Sequence, residues 1–280
     1  MRLATILDDG RATVGIVRDG AILPLTEPGF DSMRAIAAGG ARATMRIAAW
    51  AERQPASADR PLAEAGIGPA VPDPGAIYTI GHNYRSPDAA EEVGPERPLV
   101  YGKAANSVAG HRATLGWDRS VTDNVDAEVE LGVVIGARAS AVPAAEAMDH
   151  VFGYTCINDI SSRDPWLDGD QWLIGKSMPG FCPTGPWIVT RDELDIRDLR
   201  LGMTIDGVAV QDGRTTDMRF GIADVIAYLS RHVRLRPGDL IATGTPARLQ
   251  GPLGPDRHLE PGDVVTAWIE GIGELTTTIG

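Results

Sequence analysis

The segment Asp126-Ala-Glu128-Val-Glu130-Leu131-Gly-Val-Val-Ile135 places the tightest constraint on how this chain can fold. Its second half is a nearly unbroken β-branched run, which predicts a strand entering the core. In a strand, residues i, i+2 and i+4 point to one side. Asp126, Glu128 and Glu130 therefore share a face, while Val129 and Leu131 occupy the other. Three like charges beside a core repel one another and are costly to strip of water. A divalent cation removes that cost, and a solvated edge strand with a polar outer face avoids it. This segment alone leaves both readings open.

A second stretch shifts the balance. Phe152-Gly-Tyr-Thr-Cys-Ile-Asn-Asp159 is apolar and strand-like until Asn158-Asp159, and it is followed by Ser161, Ser162, Arg163 and Asp164. Two carboxylates from one strand and a third from the end of another make an all-oxygen site suited to Mg²⁺ or Mn²⁺, with positions left for water and substrate oxygens. Zinc fits less well, because no His or Cys stands at ligand spacing. Lys176 follows the apolar Trp172-Leu-Ile174 and either snorkels to solvent or neutralises an acid-rich site. Gly238 to Pro246 reads as a strand running into a Gly-Pro turn, either an ordinary turn or one whose amides and hydroxyls hold a carboxylate.

The surrounding chain predicts a mainly β, α+β protein. Short strands are expected over 3–7 and 12–17, a helix over 31–54 interrupted at Gly39-Gly40, and a second short helix over 57–65. The Gly- and Pro-dense stretch 66–75 reads as a linker, so the boundary falls near residue 70, with a small α/β module over 1–70 and a larger domain over 71–280. Beyond it, strand-like runs at 76–80, 99–101, 129–135, 187–190, 201–205, 240–243 and 264–269 outnumber helical stretches near 144–149 and 221–231. That pattern suggests a folded-over sheet, a sandwich or roll, rather than a doubly wound fold.

The net charge of −12 argues against a nucleic-acid partner, and an anionic substrate would need a local cation to attract it. No GxGxxG or GxxxxGK[ST] pattern supports a nucleotide cofactor. No apolar run approaches the roughly 20 residues of a membrane span, and the acidic start lacks a leader's apolar stretch, so a cytoplasmic location is expected. Cys156 and Cys182 read as reduced, buried thiols.

Taken in order, the motifs resemble the fumarylacetoacetate hydrolase family. They are Ile80-Gly-His-Asn-Tyr84, Tyr101-Gly-Lys103 with Ser107 and Gly110, Asp126 to Leu131, and Gly153 to Asp159 continuing through Arg163-Asp164. Gly175-Lys-Ser177, Phe181 to Pro186, Gln211-Asp-Gly with Thr216-Asp-Met218, Gly238 to Pro246 and Glu270 to Gly273 complete the series, which spans about 71–280. The resemblance implies that family's mixed β-sandwich roll, usually a homodimer, with Mg²⁺ (Mn²⁺ as the alternative) held by Glu128, Glu130 and Asp159. It places Lys176 beside the metal and Thr245 on the substrate carboxylate, with Tyr84, Arg85, Lys103, Arg163 and Gln171 as further substrate contacts. Arg85, Arg163 and Arg248 are the arginines on hand for a second carboxylate. The implied substrate is a small 2-oxo or enolisable acid, as met in aromatic catabolism, and the default reaction is hydrolytic C–C cleavage of an acylpyruvate. A tautomerase or decarboxylase of a hydroxymuconate- or oxaloacetate-like diacid is the alternative. A catalytically silent member that only binds a metal-chelated acid is a third reading, of another class.

One departure bears on the chemistry. Hydrolytic members usually carry a His shortly after the Asn-Tyr pair and a Glu three residues on; here the stretch is Asn83-Tyr84-Arg85-Ser86-Pro87-Asp88-Ala-Ala-Glu91. With one inserted residue, Asp88 and Glu91 keep the three-residue spacing and are candidate bases. Carboxylates need burial or a like-charged neighbour to raise their pKa toward a working range. His82 is the second candidate base, although in a strand it would point away from Asn83.

Overall fold

Both faces of the strand Val129–Ile135 are covered, which is why its sequence reads as an almost unbroken apolar run. The computed structural model describes residues 1–27, 29–85, 94–164, 171–254 and 257–280. In it this strand lies inside an eleven-stranded mixed sheet. From edge to edge the order is Arg60–Pro61, Ala21–Pro24, Arg11–Arg18, Arg2–Asp8, Cys182–Thr190, Val151–Asn158, Val129–Ile135, Leu240–Ala242, Ile77–Gly81 and Leu99–Lys103, with Val108–Ala109 beside Cys182–Thr190. A second sheet of five strands runs Val208–Arg214, Arg200–Ile205, Val264–Ile269, Gly273–Ile279 and Ala113–Leu115.

Strand parity sorts the core into two layers. Val129, Leu131, Val133 and Ile135 share one apolar cluster with Leu201, Met203, Val265, Ala267 and Leu275 of the second sheet. Val134 belongs instead to a cluster with Met33, Ile36, Ile47 and Trp50 of the helix Met33–Ala51. The large sheet is therefore sandwiched between a helix and a smaller sheet, the mainly β, α+β roll that the strand-rich pattern predicts. Glu130 has the parity of Val134 and lies near that strand's start, where an acid can meet a neighbouring loop rather than the apolar centre.

The helix Met33–Ala51 is broken at Gly40, whose φ of 53° is non-helical, at the Gly39-Gly40 interruption visible in the sequence. The N-terminal strands join the large sheet directly, since Arg2 pairs with Val189 and Leu3 with Ile188. The composition change near residue 70 thus falls within one continuous sheet. The short helix expected over 57–65 does not form. Single 3₁₀ turns at Ala56–Ala58 and Leu62–Glu64 flank a two-residue strand, Arg60–Pro61, which pairs with Ala21–Pro24 and takes the backbone bonds a helix would have used. Among the described residues, no helix is long and apolar enough to cross a membrane.

Candidate functional site

Antiparallel pairing builds the site. Val129 faces Asn158 in register, so the start of one strand, carrying Glu128 and Glu130, lies beside the end of its neighbour, carrying Asp159. The Asp159 N–H donates to the Glu128 carbonyl at 2.9 Å and fixes that junction. One potential ligand oxygen from each of Glu128, Glu130 and Asp159 lies within 4.8 Å of the other two. Glu130 and Asp159 are buried, while Glu128 is half-buried.

Cations surround the acids. Lys103, at the end of the edge strand, donates to Asp159 Oδ1 at 2.5 Å and to the Ile160 carbonyl at 2.9 Å. Lys176, just past the helical turn Trp172–Gly175, donates to Asp159 Oδ2 at 2.7 Å and Ser161 Oγ at 2.8 Å, and lies 3.7 Å from Glu128 Oε2. The Ser177 hydroxyl accepts the Ala104 N–H at 2.8 Å and ties that turn to the edge strand. Arg163 pairs with Glu128 Oε1 at 2.6 Å and lies 3.7 Å from Asp126. Asp126 is itself held by Arg248 at 2.6 Å, so it stands beside the three-acid cluster and not within it.

This arrangement sorts the protonation states. Burial opposes charge on Asp159, but Lys103 and Lys176 outweigh it and hold the carboxyl well below its ordinary range. Glu130 goes the other way: burial, then the charges of Asp159 and Glu128, push its pKa well up. Burial also disfavours charge on Lys176, yet Asp159 and Glu128 more than compensate and keep it an ammonium. Burial, reinforced by Glu130, pushes the Tyr84 phenol up. Three converging carboxylates, one with its pKa pushed up by the other two and by burial, make a donor set that fits a hard divalent ion.

The cluster lies on the wall of a pocket of about 280 Å³ that also includes His82, Tyr84, Arg163, Lys176, Gln211, Thr245 and Arg248. Tyr101 and Trp172, with ring centroids 4.7 Å apart, supply an aromatic side. A larger cavity of about 810 Å³ lies against the N-terminal strands, but its described walls hold a single carboxylate, Glu274, so size does not locate the chemistry here.

The remaining sequence candidates fall in several places. Thr245 is on the pocket wall, its hydroxyl donating to the Val129 carbonyl at 2.7 Å and accepting from Gln211 Nε2 at 2.8 Å. Three expected substrate contacts do not line the pocket. Lys103 sits behind Asp159, because both are buried and paired. Arg85 is exposed and its Nη1 donates to the Met218 carbonyl at 3.0 Å, and Gln171 is exposed beside the helical turn that instead presents Trp172. His82 follows the strand end at Gly81 with a φ of 52°, so strand alternation does not govern it, and it lies on the pocket wall. Asp88 and Glu91 fall outside the described residues. Asn83 is a tether: it accepts the Phe220 N–H and donates to the Thr243 carbonyl, joining three loops of the wall.

Gln211 is a wall residue that alternation did not single out. It is buried on the second sheet, accepts the Val129 N–H at 2.9 Å and donates to the Pro246 carbonyl at 2.7 Å. Its sequence signal is its place in the Gln211-Asp-Gly stretch of the resemblance; its burial, inside the strand Val208–Arg214, comes only with the fold.

The family model described as fumarylacetoacetate (FAA) hydrolase C-terminal matches residues 76–280. A fumarylacetoacetate hydrolase from psychrophilic Exiguobacterium antarcticum superposes with a TM-score of 0.87 at 29% identity, covering 100% of this chain and 99% of that one. A 5-carboxymethyl-2-hydroxymuconate delta-isomerase from Mycobacterium smegmatis gives 0.79 at 30% identity, covering 100% and 98%. A maleylpyruvate hydrolase from Sphingobium sp. SYK-6, in complex with manganese(II) and pyruvate, gives 0.81 at 26% identity, covering 100% and 98%.

Proposed function

The chain belongs to the fumarylacetoacetate hydrolase family, and we propose that it uses Mg²⁺ or Mn²⁺ to act on a small 2-oxo or enolisable carboxylic acid, by default cleaving an acylpyruvate hydrolytically. The observation that carries this reading is the convergence of Glu128, Glu130 and Asp159 on the wall of a small pocket. The likeness to a hydrolase solved with manganese and pyruvate supports it.

Charge supports it further. Asp126, Glu128, Glu130 and Asp159 are matched by Lys103, Lys176, Arg163 and Arg248. A divalent ion would make the pocket locally positive in a chain of net charge −12, which is what an anionic substrate requires. When bound, the ion supplies a Lewis acid for negative charge developing on a 2-oxo oxygen. Lys176, locked as an ammonium, contributes a fixed positive charge and not a base. Gln211 and Thr245 fix the wall beside the acids through the Val129 backbone. His82 stands on the wall as a candidate to take a proton from water.

One observation favours a second reaction. Tyr84 keeps its phenol O–H on the pocket wall, able to donate a hydrogen bond to an enolate oxygen, and enol tautomerisation or decarboxylation leans on such a donor more than on an activated water. The likeness to a delta-isomerase supports that reading.

The test is incubation of the purified protein and Mg²⁺ or Mn²⁺ with acylpyruvates, oxaloacetate and hydroxymuconate-type diacids, with chelator controls and products identified by mass. Pyruvate plus a free acid, lost on chelation, is the expected result. Carbon dioxide or a mass-neutral spectral change selects the second reading. No turnover by a protein that still binds metal and acid would overturn both in favour of a binding role.

A further inference from the structure

We propose that the pocket ringed by Arg34, Arg138, Arg234 and Arg236 is a second binding site, one that takes a small organic ligand carrying two or more linked phosphates. The inference is independent of the reading of the acid pocket.

This pocket has a volume of about 640 Å³ and opens to solvent beside the start of the helix Met33–Ala51. Four of the 26 basic residues of a chain of net charge −12 meet there. Among the described residues, its walls hold one carboxylate, Asp73.

Backbone pairing forces the clustering. Ala139 and Leu235 form an antiparallel bridge, exchanging N–H···O bonds of 3.1 and 3.0 Å, and both side chains are fully buried. Alternation turns their neighbours outward, so Arg138 stands opposite Arg236 and Ser140 opposite Arg234, all four exposed. The Cβ atoms of Arg138 and Arg236 are then roughly 4.5–5.5 Å apart, and Arg234 follows about 7 Å along the same segment. Like charges directly opposite one another destabilise such a pair. None of these three guanidinium groups makes an ion pair or a hydrogen bond among the described residues. Asp239 lies in the same turn but is buried and accepts the Arg236 N–H at 2.8 Å, so it faces inward and leaves the rim positive.

Arg34 reaches across from the helix and completes the ring. Its Nη1 donates to the Asp73 carbonyl at 3.2 Å and to Asp73 Oδ2 at 3.4 Å. Its stem passes over Gly238, where a Cβ would collide with it. The Asp73 side chain is 62% exposed, so solvent screens this pair and Arg34 can still serve a second anion.

Guanidinium groups grip phosphate oxygens through paired N–H donors. Charges spread over about 5–7 Å suit linked phosphates better than one compact anion. Ala35, Ala38 and Pro237 give the organic part a small apolar strip. The Gly238 N–H donates to the Ile135 carbonyl at 2.8 Å, which puts this pocket at the far end of the strand whose start carries Glu130. It is thus separate from the acid pocket, by roughly 20 Å along that strand.

The experiment is calorimetric titration of the full chain with ADP and pyrophosphate, against AMP and orthophosphate. EDTA is present so that no divalent ion at the acid cluster captures phosphate. ADP and pyrophosphate should bind at one site per chain, on the order of tenfold or more tightly than AMP and orthophosphate, because the second phosphate engages a further guanidinium. Arg138→Gln combined with Arg236→Gln should weaken ADP binding on the order of ten- to a hundredfold, and Arg138→Gln alone by part of that. Arg11→Gln combined with Arg42→Gln removes the same charge from exposed positions outside the pocket and should leave ADP binding unchanged. No binding of either diphosphate, no preference for two phosphates over one, or equal losses in the two double variants would overturn the assignment. Tighter binding of a single-stranded oligonucleotide than of ADP would overturn it in favour of a nucleic-acid surface.

Discussion

The Gly244 N–H donates to Glu130 Oε2 across 2.6 Å, so a backbone amide and not a side chain fixes this buried acid of the cluster. Gly244 has a φ of +93°, and a Cβ there would lie 2.8 Å from both the Ile80 carbonyl oxygen and Asn83 Cβ. Gly244→Ala must therefore move the turn that carries the donor. The expected cost is about 1–3 kcal/mol of stability, with weaker Mn²⁺ binding, read by urea denaturation and by metal titration. An unchanged metal affinity would show that the Glu130 position does not depend on this bond.

Burial, then the charges of Asp159 and Glu128, push the Glu130 pKa well up, so metal binding competes with a proton on this carboxyl. Affinity for Mg²⁺ or Mn²⁺ should therefore rise with pH through the raised pKa of this carboxyl. Calorimetry in two buffers of different ionisation enthalpy should show proton release on ion binding that increases as the pH is lowered. Heats that do not depend on the buffer would count against it.

Lys103 and Asp159 form a pair that solvent does not reach, with side chains 0% and 1% exposed. Lys103→Met leaves part of a buried negative charge unmatched, which typically costs about 3–5 kcal/mol. Adding Asp159→Asn should recover part of that loss, because the stranded charge is then gone. Chemical denaturation of the two single variants and the double variant measures the coupling. Additive losses would mean that the pair contributes little beyond its separate members.

His111 gives the fold an acid-sensitive element away from the site. Its Nδ1 accepts the Thr276 N–H at 3.2 Å, a bond that a proton on that nitrogen would abolish. Burial, followed by the neighbouring Arg112, lowers its pKa from 6.5 to about 4. Between those values the unfolded chain binds the extra proton and the folded chain does not. Stability is thus complete above pH 6.5 and declines as the pH falls toward 4. Discounted for partial exposure, the contribution is on the order of 1–2 kcal/mol. His111→Gln should flatten the stability profile in that window, measured by thermal melts at stepped pH.

The sequence made some of this site legible. Acids alternating into a β-branched run are costly enough to demand an explanation, and Asp159 at a strand end completed the set. Alternation alone could not separate Asp126 from its neighbours. That separation depends on Arg248, which lies far along the chain and reaches Asp126 only through the fold. Lys176 reads equally as a snorkelling lysine or a partner for acids, and Lys103 only as a substrate contact through the resemblance, because nothing local shows that Asp159 takes both. The aromatic side of the pocket, Tyr101 against Trp172, joins two segments with no shared pattern. The N-terminal strands looked like a separate module because composition changes near residue 70, whereas the pairing of Arg2 with Val189 is set by long-range register.

Glu128, Glu130 and Asp159 are proposed to hold one divalent ion together. Titration of Mn²⁺ into the wild-type protein, followed by electron paramagnetic resonance of the free ion, tests it most directly. One site per chain is expected, weakened by at least about a hundredfold in Glu130→Gln and in Asp159→Asn, since losing a ligand should cost no less than losing a residue that supports one. Wild-type affinity in either folded variant, or no site in the wild-type protein, would contradict it.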